Sequence, residues 1–464
     1  MSIHRLAVLL LLASACQHAP PPTPPPAPTA IAYAPDRPAP PIALVHAKLW
    51  TGEGRTIDDG TIVLRDGRIE ALGGPETRVG DGVQVVDAKG RWVTPGIIDV
   101  HSHLGVYPTP RMQAHMDGNE MTSPVTAEVR AQDSFWPLDP GLLRAAQGGV
   151  TSLLVLPGSG NLIGGLGFVI KNRPARSAAA MRFPGARPML KMACGENPKR
   201  VYGMEKKTAP MTRMGNVAGD RAAFAQARDY ELKWREWEKG EKDKGKPPPA
   251  RDLKLETLAS VMRGDIWVQN HCYRADEMLA MLDVATEFGF TIRAFHHALE
   301  AYKIRDVLAA RGVAVATWAD WWGFKMEAYD GIPENLVLVH EAGARAVVHS
   351  DSDIGTQRLN QEAGKALAAG REMGLRATED DALRWVTANP AWVLGVDDQV
   401  GTLAPGKMAD VVLWSAHPLS VYALADLVIV DGNVVVDRGR ITTFDLDPVL
   451  VRHRELARGL IDGD

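Results

Sequence analysis

The rhythm of apolar and polar residues changes twice along this chain. Residues 42–92 and 399–440 alternate the two kinds between glycine-rich turns, as in Ala43-Leu44-Val45-His46-Ala47-Lys48-Leu49 and Asp410-Val411-Val412-Leu413-Trp414. A period of two is what a strand with one buried face requires. In Thr61-Ile62-Val63-Leu64-Arg65-Asp66-Gly67-Arg68-Ile69, Asp-Gly sits between β-rich runs, a hairpin signal. Between these segments, over 93–398, short apolar runs alternate with helical patterns, the texture of a parallel sheet covered on both faces. Strands are predicted at 97–101, 152–156, 189–193, 266–271, 291–295, 313–317 and 345–349, with 168–170 a weaker eighth. Eight such strands close an α/β barrel of the (β/α)8 type, whose active site lies at the C-terminal strand ends. The flanking β-rich segments, 42–92 and 399–440, are expected to form one composite β-sandwich.

An insertion at about 205–255 interrupts the barrel. Its helical pattern over 222–239 sets Phe224, Ala227, Tyr230, Trp234 and Trp237 near one face, predicted to pack against the barrel. A Lys- and Pro-rich loop follows. Residues 441–464 form a C-terminal tail.

The first residues read differently. His4 and Arg5 precede residues 6–15, which are apolar apart from Ser14. As a helix this run rises ~15 Å, about half of what a bilayer requires. A charged start, a short apolar core and small residues before a break describe an export signal, here 1–16. Leu12-Ala13-Ser14-Ala15-Cys16 resembles the lipobox of bacterial lipoproteins, although Ala13 stands where that motif prefers leucine. Cys16 is the expected lipidation site, with simple secretion as the alternative. Residues 17–41 are proline-rich and read as an extended linker. The expectation is a periplasmic or cell-envelope lipoprotein that meets the membrane through its anchor only.

Hydrophobic residues make up 45% of the 464, enough for a large core, and a net charge of −4 argues against a nucleic-acid partner. Cys16, Cys194 and Cys272 are the three cysteines, too few for a disulfide framework. Cys194 and Cys272 fall near the ends of neighbouring predicted strands. They are expected to be buried thiols, a disulfide being permitted by an oxidising compartment.

Val93-Thr94-Pro95-Gly96-Ile97-Ile98-Asp99-Val100-His101-Ser102-His103 carries the strongest chemical signal. Residues two apart in a strand face the same side, so His101 and His103 both point into the barrel mouth, where two imidazoles can grip one divalent cation. This segment resembles the first-strand signature of the amidohydrolase superfamily. Thr387-Ala388-Asn389-Pro390-Ala391 and Gly401-Thr402-Leu403-Ala404-Pro405-Gly406-Lys407-Met408-Ala409-Asp410 are similar to that superfamily's closing helix and its return to the sandwich. The resemblance covers nearly all of 42–440 and is greatest to the imidazolonepropionase-like and prolidase-like group.

The resemblance implies further ligands at later strand ends: His271, His297 and Asp351. For a ligand bridging two metals it implies either a glutamate or a lysine carboxylated by CO2. Leu190-Lys191-Met192-Ala193-Cys194-Gly195-Glu196 offers both, and Glu196 is preferred over Lys191 because it sits nearer the strand end. The implied cofactor is one or two divalent ions, zinc by expectation. Asp351 is assigned as the proton carrier, with His296 or Arg274 steadying the oxyanion. Tyr273, Asn161, Trp318 and Asp320 lie in loops of the predicted active face and are candidate substrate contacts. Arg274 suggests a substrate bearing a carboxylate. The reading is an amidohydrolase that cleaves a small-molecule C–N bond with metal-activated water. The alternatives are a deaminase, disfavoured because Arg274 stands where such relatives carry glutamate, and a non-catalytic anchored binding protein. Homo-oligomer assembly is left open.

Overall fold

The computed structural model describes residues 39–442 and 447–463, without residue 243. The export signal with Cys16, and the linker as far as residue 38, lie outside the described residues.

Both ends of the chain build one nine-stranded sheet. Ile42–Trp50, Thr56–Arg65, Arg68–Gly73, Gln84–Asp87 and Trp92–Pro95 come from the front; Val411–Trp414, Ala425–Val430, Asn433–Asp437 and Arg440–Ile441 come from the rear. The two halves join where Val411 pairs with Pro95 and Leu413 with Val93. The alternating apolar positions, among them Leu44, Leu49, Ile62, Leu64, Val411 and Ile429, form its core. At the hairpin tip Asp66 and Gly67 both take positive φ (50° and 73°), as a tight primed turn needs.

The barrel strands follow in chain order: β1 (Ile97–Ser102), β2 (Val150–Val155), β3 (Ile163–Lys171), β4 (Met189–Ala193), β5 (Trp267–Cys272), β6 (Ile292–His297), β7 (Ala314–Thr317) and β8 (Ala346–Val348). Each pairs with the next. One departs from the expected all-parallel sheet: β3 is antiparallel to both neighbours. The link from Val155 to Ile163 is too short for the crossover of a dozen or more residues that a parallel pair needs, so the chain turns straight back. Between β8 and β1 the closure is made by single hydrogen bonds. Asp351 N–H donates to His101 O (3.0 Å), and Ser350 N–H donates to the Asp99 carboxylate (3.2 Å).

A second expectation, of two buried free thiols, is corrected. Cys194 and Cys272 form a disulfide linking the ends of β4 and β5. These strands are already adjacent, so the two thiols meet across one rung of the sheet. In the insertion the long helix runs Arg213–Glu236, starting where Thr212 accepts a bond from Gly215 N–H. Phe224 packs on Phe288 and Phe290, but Trp234 and Trp237 pack edge to face on one another. Trp237 Nε1 donates to Lys246 O at 2.8 Å, which fastens the Lys- and Pro-rich loop to this helix. Residues Asp447–Asp462 of the C-terminal tail are helical. Among the described residues, no helix is long and apolar enough to cross a membrane.

Candidate active site

β1, β4, β5, β6 and β8 deliver their polar residues to one place. Ligand atoms of His101, His103 and Asp351 lie within 4.8 Å of one another, as do those of His101, His297 and His349. His103 Nε2 is 3.2 Å from Asp351 Oδ1 and 3.3 Å from His101 Nε2. Lys191 Nζ stands 3.3 Å from that same His101 nitrogen and donates to Pro157 O at 3.1 Å. The His271 ring lies 4.4 Å from that of His297.

The backbone bends to make this possible. His297 (φ 69°), Ala298 (φ 38°) and Asp351 (φ 47°) occupy the left-handed region although none is glycine. Such a conformation costs of order 1–3 kcal/mol and persists where the surroundings enforce it, typically at functional sites. Behind Asp351, the buried Asp99 carboxylate accepts bonds from Ser350 Oγ, from Thr356 Oγ1 and from the backbone N–H groups of His101 and Ser350. Burial pushes the Asp99 carboxyl up to about 6 despite these donors. Asp99 thereby ties the end of β8 to β1.

The electrostatics suit a cation. Burial holds the imidazoles of His101, His271 and His297 well below their ordinary pKa, and that of His349 falls to about 3. All four are therefore neutral and carry lone pairs at pH 7. His103 Nδ1 bonds to Leu156 O (2.8 Å), which turns Nε2 toward Asp351 and His101. Nδ1 of His271, of His297 and of His349 is buried without a hydrogen-bond partner. Buried polar atoms with no partner are costly. Several of them converging with a carboxylate and a lysine fit a divalent metal, which the set could hold through nitrogen and oxygen donors. Burial lowers Lys191 to about 8, so a useful fraction of neutral amine exists at neutral pH.

Other expected site residues lie elsewhere. Glu196, the preferred bridge, is not in the cluster: its carboxylate is 3.6 Å from Lys325, and of the two it is Lys191 that reaches the histidines, with Nζ 3.3 Å from His101 Nε2. Glu196 starts a new helical turn after Gly195, which turns it away from the axis of β4. His296 does not face the cavity. It is fully buried behind His101, with Nδ1 2.9 Å from His101 Nδ1 and Nε2 2.7 Å from Gln269 Oε1. Both rings lie against His101, with centroids 4.7 and 4.8 Å away, but the left-handed backbone at His297 turns its ring toward His271 and His349, 4.4 and 5.0 Å away. Arg274 pairs with Asp276 at 2.8 Å, not with the cluster. Asn161 is buried, and its Nδ2 faces Glu120 O, Ser123 O, Thr126 Oγ1 and Tyr202 Oη; it fastens a loop. Asp320 is exposed and pairs with Lys365 at 2.9 Å. Tyr273 and Trp318 do reach the site. Both stack on His297, with ring centroids 5.1 and 4.6 Å away.

His349, Gln269 and Asp99 are site residues that sequence reasoning passed over. His349 had a visible signal, since it precedes Asp351 by two residues as His101 precedes His103.

The Amidohydrolase family model matches residues 92–442. A protein named Amidohydrolase tasK from Hapsidospora irregularis is 36% identical over 431 residues, 86% of this chain. This chain spans 43% of that protein's length. An imidazolonepropionase of Streptococcus sanguinis is 26% identical over 84% of this chain and 93% of its own. The crystal structure of an amidohydrolase from Thermotoga maritima superposes with a TM-score of 0.79 at 36% identity, covering 86% of this chain and all of that one. With a family model that takes in the barrel and both joins to the terminal sheet, this chain belongs to the amidohydrolase family.

Proposed function

We propose that this protein is a zinc-dependent hydrolase that cleaves the C–N bond of a small amide, cyclic amide or dipeptide-like substrate. The observation that carries the reading is the convergence of bare imidazole nitrogens on the Asp351 carboxylate at the C-terminal ends of the barrel strands. His101, His103, His271, His297 and Asp351 would hold the metal, with His349 completing the group and Lys191, carboxylated by CO2, as the bridge. When bound, such a cation supplies an acidified water and a Lewis acid for the scissile carbonyl.

The chain's own residues do the rest. Asp351 accepts a proton from the attacking water and returns it to the departing nitrogen. Asp99 and Ser350 fix the backbone that aims Asp351. Tyr273 and Trp318 pack on His297, fix its ring and keep bulk water from that flank. The test is to load the purified protein with zinc and screen dipeptides, N-acyl amino acids, lactams and hydantoins. Turnover of at least one class, lost on chelation and restored by zinc, is expected. Metal-free protein that is still active would refute the reading. Lys191→Ala should lower a two-metal stoichiometry and Glu196→Ala should not.

We also propose that the enzyme works outside the cytoplasm, lipidated at Cys16. The Cys194–Cys272 disulfide supports this, because such crosslinks persist in oxidising compartments. Cys16→Ser should release the protein from the membrane fraction; an unchanged fraction without attached lipid would refute the anchor.

A further inference from the structure

We infer that Gln269 and His296 are positioning residues that fix the tautomer of His101, so that His101 presents a bare Nε2 to the metal. The inference rests on the metal-site reading above.

The argument starts from Gln269. Its side chain is fully buried between two neighbours, Met189 Sδ at 2.8 Å from Nε2 and His296 Nε2 at 2.7 Å from Oε1. A thioether sulfur only accepts, so it selects the NH2 end of the amide. The opposite orientation would set Oε1 against sulfur, two acceptors in contact. The carbonyl end therefore faces His296, and His296 Nε2 must carry a hydrogen to bond with it. His296 is fully buried and its two ring partners are neutral side chains, Gln269 and His101. A buried imidazolium without a counter-charge is costly, so His296 has one N–H only, and its Nδ1 is a lone pair.

That lone pair faces His101 Nδ1 at 2.9 Å. Two bare nitrogens would repel at this distance, so His101 Nδ1 carries the hydrogen and donates it. His101 Nε2 is then bare. This is the atom on which the site converges: His103 Nε2 and Lys191 Nζ each lie 3.3 Å from it and Asp351 Oδ1 3.6 Å. The chain Met189–Gln269–His296–His101 thus runs from an apolar sulfur in β4 to a ligand atom in β1, through β5 and β6. Histidine ligands commonly owe their orientation to a bond at the other ring nitrogen, and losing such a partner typically costs ~10–100-fold in metal affinity. Here the partner is a second histidine, which has two tautomers of its own and so needs Gln269 to choose between them.

The experiment measures zinc affinity by chelator competition for the wild type, Gln269→Leu and Gln269→Glu, beside the melting temperature of each metal-free protein. Gln269→Leu keeps bulk but removes the acceptor, and its zinc affinity should fall ~10–100-fold. Gln269→Glu as the neutral acid keeps one donor for sulfur and one acceptor for His296, and should recover most of that loss. A purely structural glutamine would lower melting without this pattern. Unchanged affinity in Gln269→Leu, or no recovery in Gln269→Glu, overturns the inference. Should Gln269→Leu fail to fold, long-range nitrogen–proton NMR of metal-free wild type labelled with 15N-histidine decides. His296 protonated at Nε2 and His101 at Nδ1 is expected, and the reverse pair overturns the relay. A wild type that shows these tautomers but binds no zinc refutes the metal reading and leaves the relay standing.

Discussion

Removing the crosslink between β4 and β5 should weaken the fold and leave the site geometry almost unchanged. Cys194 and Cys272 are separated by 78 residues. In the chain-entropy view, closing a loop of that length removes about 15 cal/mol/K from the unfolded ensemble, or about 4.5 kcal/mol at 25 °C. At an unfolding entropy of ~2.1 cal/mol/K per residue, a chain of 464 residues should then melt roughly 5 °C lower. The folded state keeps its own restraints. Ala193 stays paired with His271, and Cys194 N–H donates to His271 O at 2.9 Å. The imidazole of His271 and the amine of Lys191 should therefore stay in place. The assay compares calorimetric melting of the oxidised wild type, the reduced wild type and the Cys194→Ala/Cys272→Ala double variant, with divalent-metal binding measured at 25 °C. The reduced and double-variant proteins should melt together, below the oxidised form, with divalent-metal binding unaltered. Equal melting of all three would refute the entropic argument. Peptide mapping that finds Cys194 and Cys272 unlinked in protein purified under oxidising conditions would refute the crosslink itself.

Three further outcomes follow from individual groups. Asp351→Asn keeps shape and one oxygen but no basic carboxylate, so fully metallated variant should lose at least ~10²–10⁴-fold in kcat; near-normal kcat would remove Asp351 as proton carrier. Lys171 is buried, 2.5 Å from Asp410 and 3.0 Å from Asp431, where the barrel meets the terminal sheet. Lys171→Met leaves Asp410 buried without its cation and should cost ~3–5 kcal/mol in denaturant unfolding, while adding Asp410→Leu should recover much of it; a silent Lys171→Met would show that the pair is not needed. Asp220 lies fully buried on the Arg213–Glu236 helix, both oxygens without a partner, and burial raises its pKa well above 3.8. Above 3.8 the unfolded chain has released this proton and the folded chain still holds it, so stability falls as pH rises, by ~1.4 kcal/mol per unit, until the folded group also titrates. Asp220→Asn should flatten that fall and be the more stable protein at neutral pH; parallel stability–pH curves for the two proteins would refute it.

The sequence by itself determined the architecture and the first pair of the histidine cluster. Period-two runs at both ends marked the strands of the terminal sheet, although Val411–Trp414 is buried on both faces, and wholly apolar runs between them marked barrel strands buried on both. His101 and His103 were legible because strand alternation alone puts them on one side. The reversed β3 was legible in part: 168–170 was found as a strand, but its direction depends on what the preceding link can span. What only the tertiary structure decided was which group meets which across strands. Lys191 and Glu196 are five residues apart, and no local rule says which one faces the barrel axis once Gly195 turns the chain. His296 and His297 carry the same chemistry, and the neighbours, Gln269 behind one and Tyr273 with Trp318 against the other, give them different places. Arg274, Asn161 and Asp320 lie in segments that suggest substrate contact, yet each is taken up by a partner near it in space: Asp276, the 120–126 loop and Lys365. Side-chain alternation is a property of one strand and can be read from one strand. A ligand set is a property of five strand ends at once, and its distances exist only after the barrel has closed.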